Sequence, residues 1–322
     1  MLALFVADDS VGDAAPAVAG TYQLEGSVLR FTPRFPLRPG LSYRVVFRPK
    51  SLEDKSAGVE DKVVERLIRV PETSDRREAP RVVRIFPSAA TLPENQLRFY
   101  IYFSTPMNRG EAYRRLELRD ADGHAVEAPF LELGEELWDA GGRRFTLLLD
   151  PGRVKRGLKP REELGPVLEA GRKYTLVAKS GWTDASGRPL ERPFSKEFKV
   201  GPAVEQAVDP RTWTVSSPVA GTRQAFTVRF PRPLDQALLE RTLSIVRGDR
   251  RISGTASPGD EERSWQFTPD EPWQAGRHDL LVDAVLEDTA GNSVRRAFEV
   301  DGKAIPASDT LKEFRLPFMI SE

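Results

Sequence analysis

The chain has 322 residues, with 48 Lys and Arg balanced by 48 Asp and Glu and a formal net charge of zero. That length holds about two to three domains of ordinary size, and the neutral balance leaves no electrostatic footprint for nucleic acid or an anionic membrane surface. Cysteine is absent, which excludes disulfides, thiolate metal sites and a cysteine nucleophile; no apolar run reaches the ~18 residues of a membrane-spanning helix.

From the N-terminus, Leu2-Ala3-Leu4-Phe5-Val6 is a short apolar strand, too short for a signal-peptide core and without a basic lead. An alternating strand closed by proline follows, Leu29-Arg30-Phe31-Thr32-Pro33, then a glycine turn with an aromatic, Leu37-Arg38-Pro39-Gly40-Leu41-Ser42-Tyr43, and a strand at Val45-Val46-Phe47. A loose acidic turn spans Glu53 to Gly58, and a last strand runs from Val64 to Val70.

The same order recurs twice. In the second copy the proline-closed strand is Leu147-Leu148-Leu149-Asp150-Pro151, the glycine turn is Leu168-Glu169-Ala170-Gly171-Arg172-Lys173-Tyr174, the Asp-x-x-Gly turn is Thr183 to Arg188, and the last strand is Phe194 to Val200. In the third, Trp265-Gln266-Phe267-Thr268-Pro269 precedes Trp273-Gln274-Ala275-Gly276-Arg277-His278, Glu287 to Asn292 and a last strand from Val294 to Val300. Copies two and three also share a front. Leu97 to Phe103 and Ala225 to Phe230 are period-2 strands stopped by proline, each followed by a short helical segment (Arg109 to Arg115, Asp235 to Arg241) and a third strand at Leu116 to Leu118 or Leu243 to Val246. Leu2 to Val6 aligns with that third strand, so the first module lacks its first two strands and is expected to expose an unpaired edge. This points to a truncated product, a mis-called start or a fragment.

A glycine turn followed by an aromatic at a strand start is what a tyrosine corner needs, where the ring packs inward and its hydroxyl ties back to upstream backbone. The predicted fold class is therefore all-β: tandem immunoglobulin-like β-sandwich modules, the first lacking its N-terminal strands. The expected boundaries are 1–73 for the partial module, 80–201 for the second, 204–302 for the third, and 303–322 for a tail whose apolar run from Phe314 to Ile320 adds a strand to a module edge or docks in a junction. Short proline-bearing linkers make the tandem a semi-rigid rod.

The combination of Phe103-Ser104-Thr105-Pro106-Met107-Asn108, Leu-x-Pro/Ala-Gly-x-x-Tyr and Asp-x-x-Gly resembles the bacterial Ig-like domains first described in S-layer proteins. The run Asp150 to Leu158 is similar to that of uncharacterised exported proteins of planctomycete-like bacteria. The resemblance implies display in the cell envelope or outside the cell, as spacer or adhesion modules, with no enzymatic activity in common and so no catalytic residue to carry over.

The residues themselves offer little for catalysis. Of the two histidines, His278 stands at the corner position of Tyr43 and Tyr174, and His124 sits in the turn Asp120-Ala121-Asp122-Gly123, where Asp and Gly are the residues a turn selects. Asp120, Asp122, Asp184 and Asp288 invite a calcium reading but lack the ligand density that calcium needs, so hairpin turns are the expectation. No metal or cofactor is expected. Glu135-Glu136, Glu162-Glu163 and Glu261-Glu262 are sequence neighbours that a strand would point to opposite faces, and all are expected to be solvated.

Two features stand apart from the repeat. Nineteen positions separate Leu149 from Leu168, against six between Phe31 and Leu37 and six between Phe267 and Trp273, so the second module carries a 13-residue insertion. It holds Arg153, Lys155, Arg156, Lys159 and Arg161 among three prolines, with Val154, Leu158 and Leu164 as candidate anchors. It is expected to be an ordered basic loop that either presents the five cations to an anionic envelope polymer or packs as a structural insertion. In the Leu97 to Phe103 strand, Tyr100 and Tyr102 fall on the face opposite Phe99 and Ile101, either to stack on sugars or a protein partner or to be covered by the neighbouring module. Trp138, Trp182 and Trp213 are expected at a surface or a module junction. The functional expectation is a non-enzymatic envelope or extracellular scaffold whose partners are an envelope polysaccharide or another surface protein; the alternative is an accessory fragment of a larger secreted carbohydrate-active enzyme.

Overall fold

The computed structural model describes residues 2–7, 16–26, 28–34, 37–38, 40–48, 63–70, 79–296, 298 and 312–322. The chain divides into two compact units, Met1–Glu78 and Ala79–Glu322.

In the first unit, β1 (Leu2–Ala7), β4 (Ser42–Phe47) and β5 (Val64–Arg69) form one sheet in the order β1-β4-β5, and β2 (Gly20–Glu25) pairs with β3 (Val28–Pro33) as a hairpin. The acidic turn expected at Glu53 to Gly58 lies outside the described residues. Ala3, Leu4, Tyr43 and Val46 are buried, whereas Leu24, Val28 and Leu67 are well exposed.

The second unit holds two sandwiches. In the middle one, β6 (Val82–Phe86), β8 (Arg98–Phe103) and β10 (Arg144–Leu148) form one sheet; β7 (Thr91–Pro93), β9 (Leu116–Arg119), β11 (Lys173–Ala178) and β12 (Phe194–Gly201) form the other, in the order β7-β12-β11-β9. Three short helices interrupt the strands: α1 (Ala112–Arg115), α2 (Pro151–Val154) and α3 (Lys159–Leu164). Alternation sends Phe99, Ile101, Phe145 and Leu147 inward to meet Leu118, Tyr174, Leu176 and Phe198 of the facing sheet. Trp182, Trp138, Phe103 and Phe145 form one aromatic cluster, with the Phe103 and Trp182 centroids 4.9 Å apart.

The last sandwich stacks β13 (Thr214–Ser216), β14 (Phe226–Arg229), β17 (Gly254–Pro258) and β18 (Ser264–Pro269) over β15 (Leu243–Arg247), β16 (Arg250–Arg251), β19 (Gly276–Asp283) and β20 (Glu313–Ile320), with α4 (Gln236–Leu239) before β15. Its core joins Phe226, Val228, Trp265 and Phe267 to Ile245, Leu280, Val282 and Phe318. Trp213 is buried there beside Phe230, and Trp182 is fully buried in the middle core. Neither stands at a surface: Trp182 packs against Phe103, Trp138 and Phe145, and Trp213 against Phe230.

Equivalence between copies shows in the registers. Tyr43 lies opposite Ile68, Tyr174 opposite Phe198 and His278 opposite Phe318. The strand that closes the last sandwich is therefore β20, not Val294 to Val300: Val294, Arg295 and Arg296 are outside any strand, and 297 and 299–300 lie outside the described residues. The apolar alternation Phe314, Leu316, Phe318, Ile320 fills the slot that β5 and β12 fill elsewhere. The hairpins match too. Gly20 faces Pro33 as Gly254 faces Pro269, and a Cβ on either glycine would stand 2.4 Å from a carbonyl oxygen, that of Thr32 or Thr268. β3 pairs β2 alone among the described residues, whereas its counterpart β18 is flanked by β14 and β17.

Two of the three corners close as expected. The Tyr43 hydroxyl accepts from the Arg38 N–H at 2.8 Å, and the Tyr174 hydroxyl accepts from the Glu169 N–H at 3.2 Å, each five residues upstream. At the third, the matching N–H of Trp273 donates to the Thr222 carbonyl at 2.8 Å, and His278 turns its Nδ1 to the Gly276 carbonyl at 3.1 Å. Tyr174→Phe orphans the Glu169 N–H and is expected to cost about 1 kcal/mol in urea unfolding; an unchanged midpoint would show that the corner bond is not stabilising.

Candidate functional site

The outward face of β8 meets the last sandwich and is buried by it. Tyr100 donates its hydroxyl to both Asp235 oxygens, at 2.8 and 3.0 Å. Arg98, two residues earlier on the same face, places Nε 3.5 Å from Asp235 Oδ2 and donates Nη2 to Glu287. Asp235 also caps α4 by accepting from the Leu238 N–H at 3.0 Å, so one buried carboxylate starts a helix in one sandwich and holds a strand of the other. Burial, with Asp235 next to it, pushes the Tyr100 phenol well above its ordinary value; burial likewise raises Glu287 against the opposing pull of Arg98.

The linker is clamped from both sides. Asn95 of the middle sandwich donates Nδ2 to the Val204 carbonyl and accepts from the Val204 N–H, at 2.8 and 2.9 Å, while Asn292 of the last sandwich donates Nδ2 to the same carbonyl at 2.8 Å. The Leu97 N–H donates to the Thr289 carbonyl at 3.0 Å.

A third contact involves a carboxylate expected to be solvated. Glu262 is 1 % exposed; it accepts from the Ser88 N–H at 2.8 Å and from the Ser88 hydroxyl at 2.6 Å. Glu261 and Glu262 both adopt left-handed φ values, 52° and 54°, a conformation disfavoured for residues other than glycine and tolerated where surroundings enforce it. Burial raises the Glu262 pKa despite the Ser88 bonds and nearby Lys196. A group with a raised folded pKa contributes stability that is fully present below its unfolded pKa and lost as pH rises through the folded value. The stability of wild type relative to Glu262→Gln is therefore expected to fall as pH rises from mildly acidic to neutral; a pH-independent difference in thermal midpoints would refute this.

The 13-residue insertion folds as α2 and α3, and it does not present its cations outward as a set. Arg153 is 3 % exposed: Nε donates to the Gly165 carbonyl at 3.0 Å, Nη2 to those of Leu164 and Pro166, and Nη1 to those of Glu127 and Ala128. Arg161 donates to the Arg153 and Val154 carbonyls and, at 2.6 Å, to Glu94. Backbone carbonyls that lack other donors draw both guanidinium groups inward. Arg156 reaches Glu205 at 3.0 Å in the linker, and Lys155 Nζ stands 4.2 Å from the Phe298 ring centroid. Lys159 is exposed. Val154 is buried as an anchor, while Leu158 and Leu164 are exposed and Val167 is buried in their place. The insertion is thus a brace beside the junction.

Tyr100 is buried rather than open to a ligand, and Tyr102 is half-buried against Phe86, with ring centroids 5.3 Å apart. Tyr100 is covered because the neighbouring sandwich supplies the Asp235 carboxylate, and Tyr102 is covered in part by Phe86 of its own sheet. Alternation in β8 puts Arg98 on the face of Tyr100, a cation beside a tyrosine on an outward face, which is the local sequence signal for this junction.

The acidic turns behave as turns. Asp120 Oδ1 accepts from the N–H groups of Asp122 and His124, Asp184 Oδ1 from those of Ser186 and Arg188, and Asp288 Oδ1 from those of Ala290 and Asn292. Arg188 and Arg232 then neutralise Asp184 and Asp288 at 2.7 and 2.9 Å. Asp120, Asp122 and His124 could bring ligand atoms within 4.8 Å of one another, but the hydrogen bonds just described already engage the Asp120 carboxylate. No helix of the described residues is long and apolar enough to cross a membrane.

The last sandwich also has a cavity of about 680 Å³, between the β15–β16 hairpin and the turn from Asp270 to Gln274, with His278 among its lining residues.

No family model matches the chain, and no curated protein matches it. Solved structures similar to it include the titin Ig tandem domains A164-A165, at 10 % identity over 76 % of this chain and 96 % of that one, TM-score 0.22. The FN1–FN3 domains of chicken CNTN1 align at 11 % identity over 99 % and 91 %, TM-score 0.19. SGBP-B of the Bacteroides ovatus mixed-linkage glucan utilization locus, in complex with mixed-linkage heptasaccharide, aligns at 13 % identity over 91 % of this chain and 56 % of that one, TM-score 0.19. On its own sheet order, registers and corners, the chain is a mostly β protein of tandem immunoglobulin-like modules.

Proposed function

We propose that this chain is a non-enzymatic scaffold of the cell envelope or extracellular space, which holds its modules at fixed spacing and engages an envelope polysaccharide or another surface protein. The observation that carries the scaffold reading is the buried contact of Arg98 and Tyr100 with Asp235 and Glu287. Paired charges set around a fully buried carboxylate, that of Asp235, at a domain boundary favour one geometry, because displacement strands that carboxylate away from both partner and water. Neither histidine is arranged for general acid-base work: the His278 Nδ1 is tied to a backbone carbonyl, and the His124 side chain is 80 % exposed in a turn.

The test is retention on isolated envelopes of the source organism. The full chain should sediment with envelopes at low salt and be competed off by the soluble polysaccharide or stripped with the surface-protein fraction. Equal recovery in the supernatant with and without envelopes would overturn the reading.

A further inference from the structure

The first unit leaves open, at β3, a backbone edge that the other two modules fill. Antiparallel pairing turns the backbone groups of successive residues to alternate edges of a strand. The Arg34 N–H donates to the Ala19 carbonyl on the β2 side at 2.8 Å, so Arg30 and Thr32 also turn their backbone groups to β2, and Leu29 and Phe31 turn theirs to the other edge. No described strand pairs β3 there. In the middle sandwich the counterpart of Phe31 is Leu149, whose N–H donates outward to the Leu97 carbonyl at 3.0 Å.

Side chains mark the same gap. Leu29 and Phe31 share the inward face of β3 and are only half-buried, whereas their counterparts Leu147 and Leu149, and Trp265 and Phe267, are buried. Tyr22, opposite Phe31, donates its hydroxyl to the Leu2 carbonyl of β1 at 2.6 Å, so this face looks onto the other sheet of the unit. In that sheet Ile68 is 44 % exposed, although it holds the register position of Phe198 and Phe318, which are 2 % and 7 % exposed. One strand covers each of those two. β8 brings Phe99 to 5.6 Å from Phe198, and β14 brings Phe226 to 4.3 Å from Phe318, between ring centroids. The same β8 and β14 pair with β10 and β18, the counterparts of β3.

We propose that the first unit is an acceptor for a β-strand donated by another polypeptide, which pairs antiparallel along the open edge of β3 and covers Ile68. Main-chain hydrogen bonds supply the affinity of such a contact, and pockets for alternate side chains its specificity. Residues 8–15, 49–62 and 71–78 of this unit contain no two bulky apolar residues two positions apart, so they do not carry the pattern of the missing strand.

The chemistry of the donor follows from the register in the last sandwich. Phe226 faces Phe267 and Val228 faces Trp265, so the donated strand carries bulky apolar side chains two positions apart, opposite Phe31 and Leu29. Between them Thr227 faces Gln266, whose counterpart is Arg30. An acidic residue at that place complements the guanidinium, as Glu25 of β2 does from the other side at 3.0 Å. The donor is thus an extended segment, apolar at alternate positions and acidic or neutral between them. The proposal deepens the protein-partner part of the function put forward above and rests on it only for where the partner is found.

Fluorescence anisotropy of the full chain with a labelled synthetic peptide copying residues 224–231 tests it. The Phe230 N–H donates to the Arg263 carbonyl, so in this segment the N–H groups of Phe226 and Val228 face the acceptor and that of Thr227 faces away. The peptide should bind; N-methylation at Phe226 and Val228 should weaken it at least about tenfold, and N-methylation at Thr227 should leave it within about twofold. A Thr227→Glu peptide should bind more tightly than a Thr227→Lys peptide. Ile68→Asp in the chain, at a position already open to water, should lose about tenfold in affinity, with its thermal midpoint measured alongside. Bound peptide should slow amide exchange at Leu29 and Phe31 and not across 264–269. No binding, equal binding of the doubly N-methylated peptide, full affinity in Ile68→Asp, or protection confined to 264–269 would each overturn the proposal. Dimerisation of the chain alone that protects Leu29 and Phe31 and excludes the peptide would overturn it in favour of a second copy. Envelope retention without peptide binding would sink the acceptor site and leave the scaffold reading intact; peptide binding without retention would do the opposite.

Discussion

Arg98→Ala is expected to destabilise the two-sandwich unit by about 3 kcal/mol and to split its urea unfolding into two transitions. Breaking a buried ion pair by removing one partner typically costs about 3 to 5 kcal/mol, since the remaining charge is left desolvated and unpaired. The Asp235 side chain is 1 % exposed and that of Glu287 28 %. Asp235 keeps two donors, the Tyr100 hydroxyl and the Leu238 N–H, which places the expected loss at the lower end of that range. The triple variant Arg98→Met, Asp235→Asn, Glu287→Gln removes the charges together and should recover a large part of the loss. Tyr100→Phe, which takes away one donor, should cost about 1 to 2 kcal/mol. A single transition for Arg98→Ala, with its midpoint within error of wild type, would mean that the pair does not couple the sandwiches.

The second large effect is expected at Arg153. Its guanidinium satisfies the carbonyls of Glu127, Ala128, Leu164, Gly165 and Pro166 at once. Arg153→Ala leaves those acceptors without their donor in a buried site, and hydrogen bonds to a charged group contribute about 1.5 to 3 kcal/mol each before reorganisation. A net loss of about 3 kcal/mol follows, with faster amide exchange across 151–167. Arg153→Lys should rescue little, because an ammonium carries three donors on a single nitrogen and cannot span carbonyls on two segments. Urea unfolding and hydrogen exchange read both variants; a loss below about 1 kcal/mol for Arg153→Ala would show that water replaces the guanidinium freely.

These two arginines also show where sequence reasoning reached its limit. The repeat was legible because strand alternation, proline stops and glycine corners are local, and each signals through side-chain chemistry within a few residues. Hence β3, β10 and β18, the Tyr43 and Tyr174 corners and the equivalent positions of α1 and α4 in successive modules are legible in the sequence. The closing strand of the last sandwich was not, since Val294 to Val300 and Phe314 to Ile320 both alternate and only the register against β19 separates them. Charge in the insertion was visible, but its direction was not: Arg153 points inward to the distant Glu127 carbonyl and Arg161 to the distant Glu94 carboxylate, acceptors that a linear pattern does not display. The third corner was hidden for a related reason: His278 occupies a corner position, and what marks it as different is the distant Thr222 carbonyl, which accepts the Trp273 N–H that a corner tyrosine hydroxyl would otherwise accept.

The central claim is that the middle and last sandwiches form one body through the buried junction. Because the chain has no cysteine, two introduced cysteines are unique labelling sites, and Asp122 and Asp249 are exposed, one on each sandwich. Pulsed electron double resonance between spin labels at Asp122→Cys and Asp249→Cys measures the distance distribution directly. A single narrow distribution that broadens when Arg98→Ala is added is the predicted result; a broad or multimodal distribution in the otherwise wild-type chain would contradict the account.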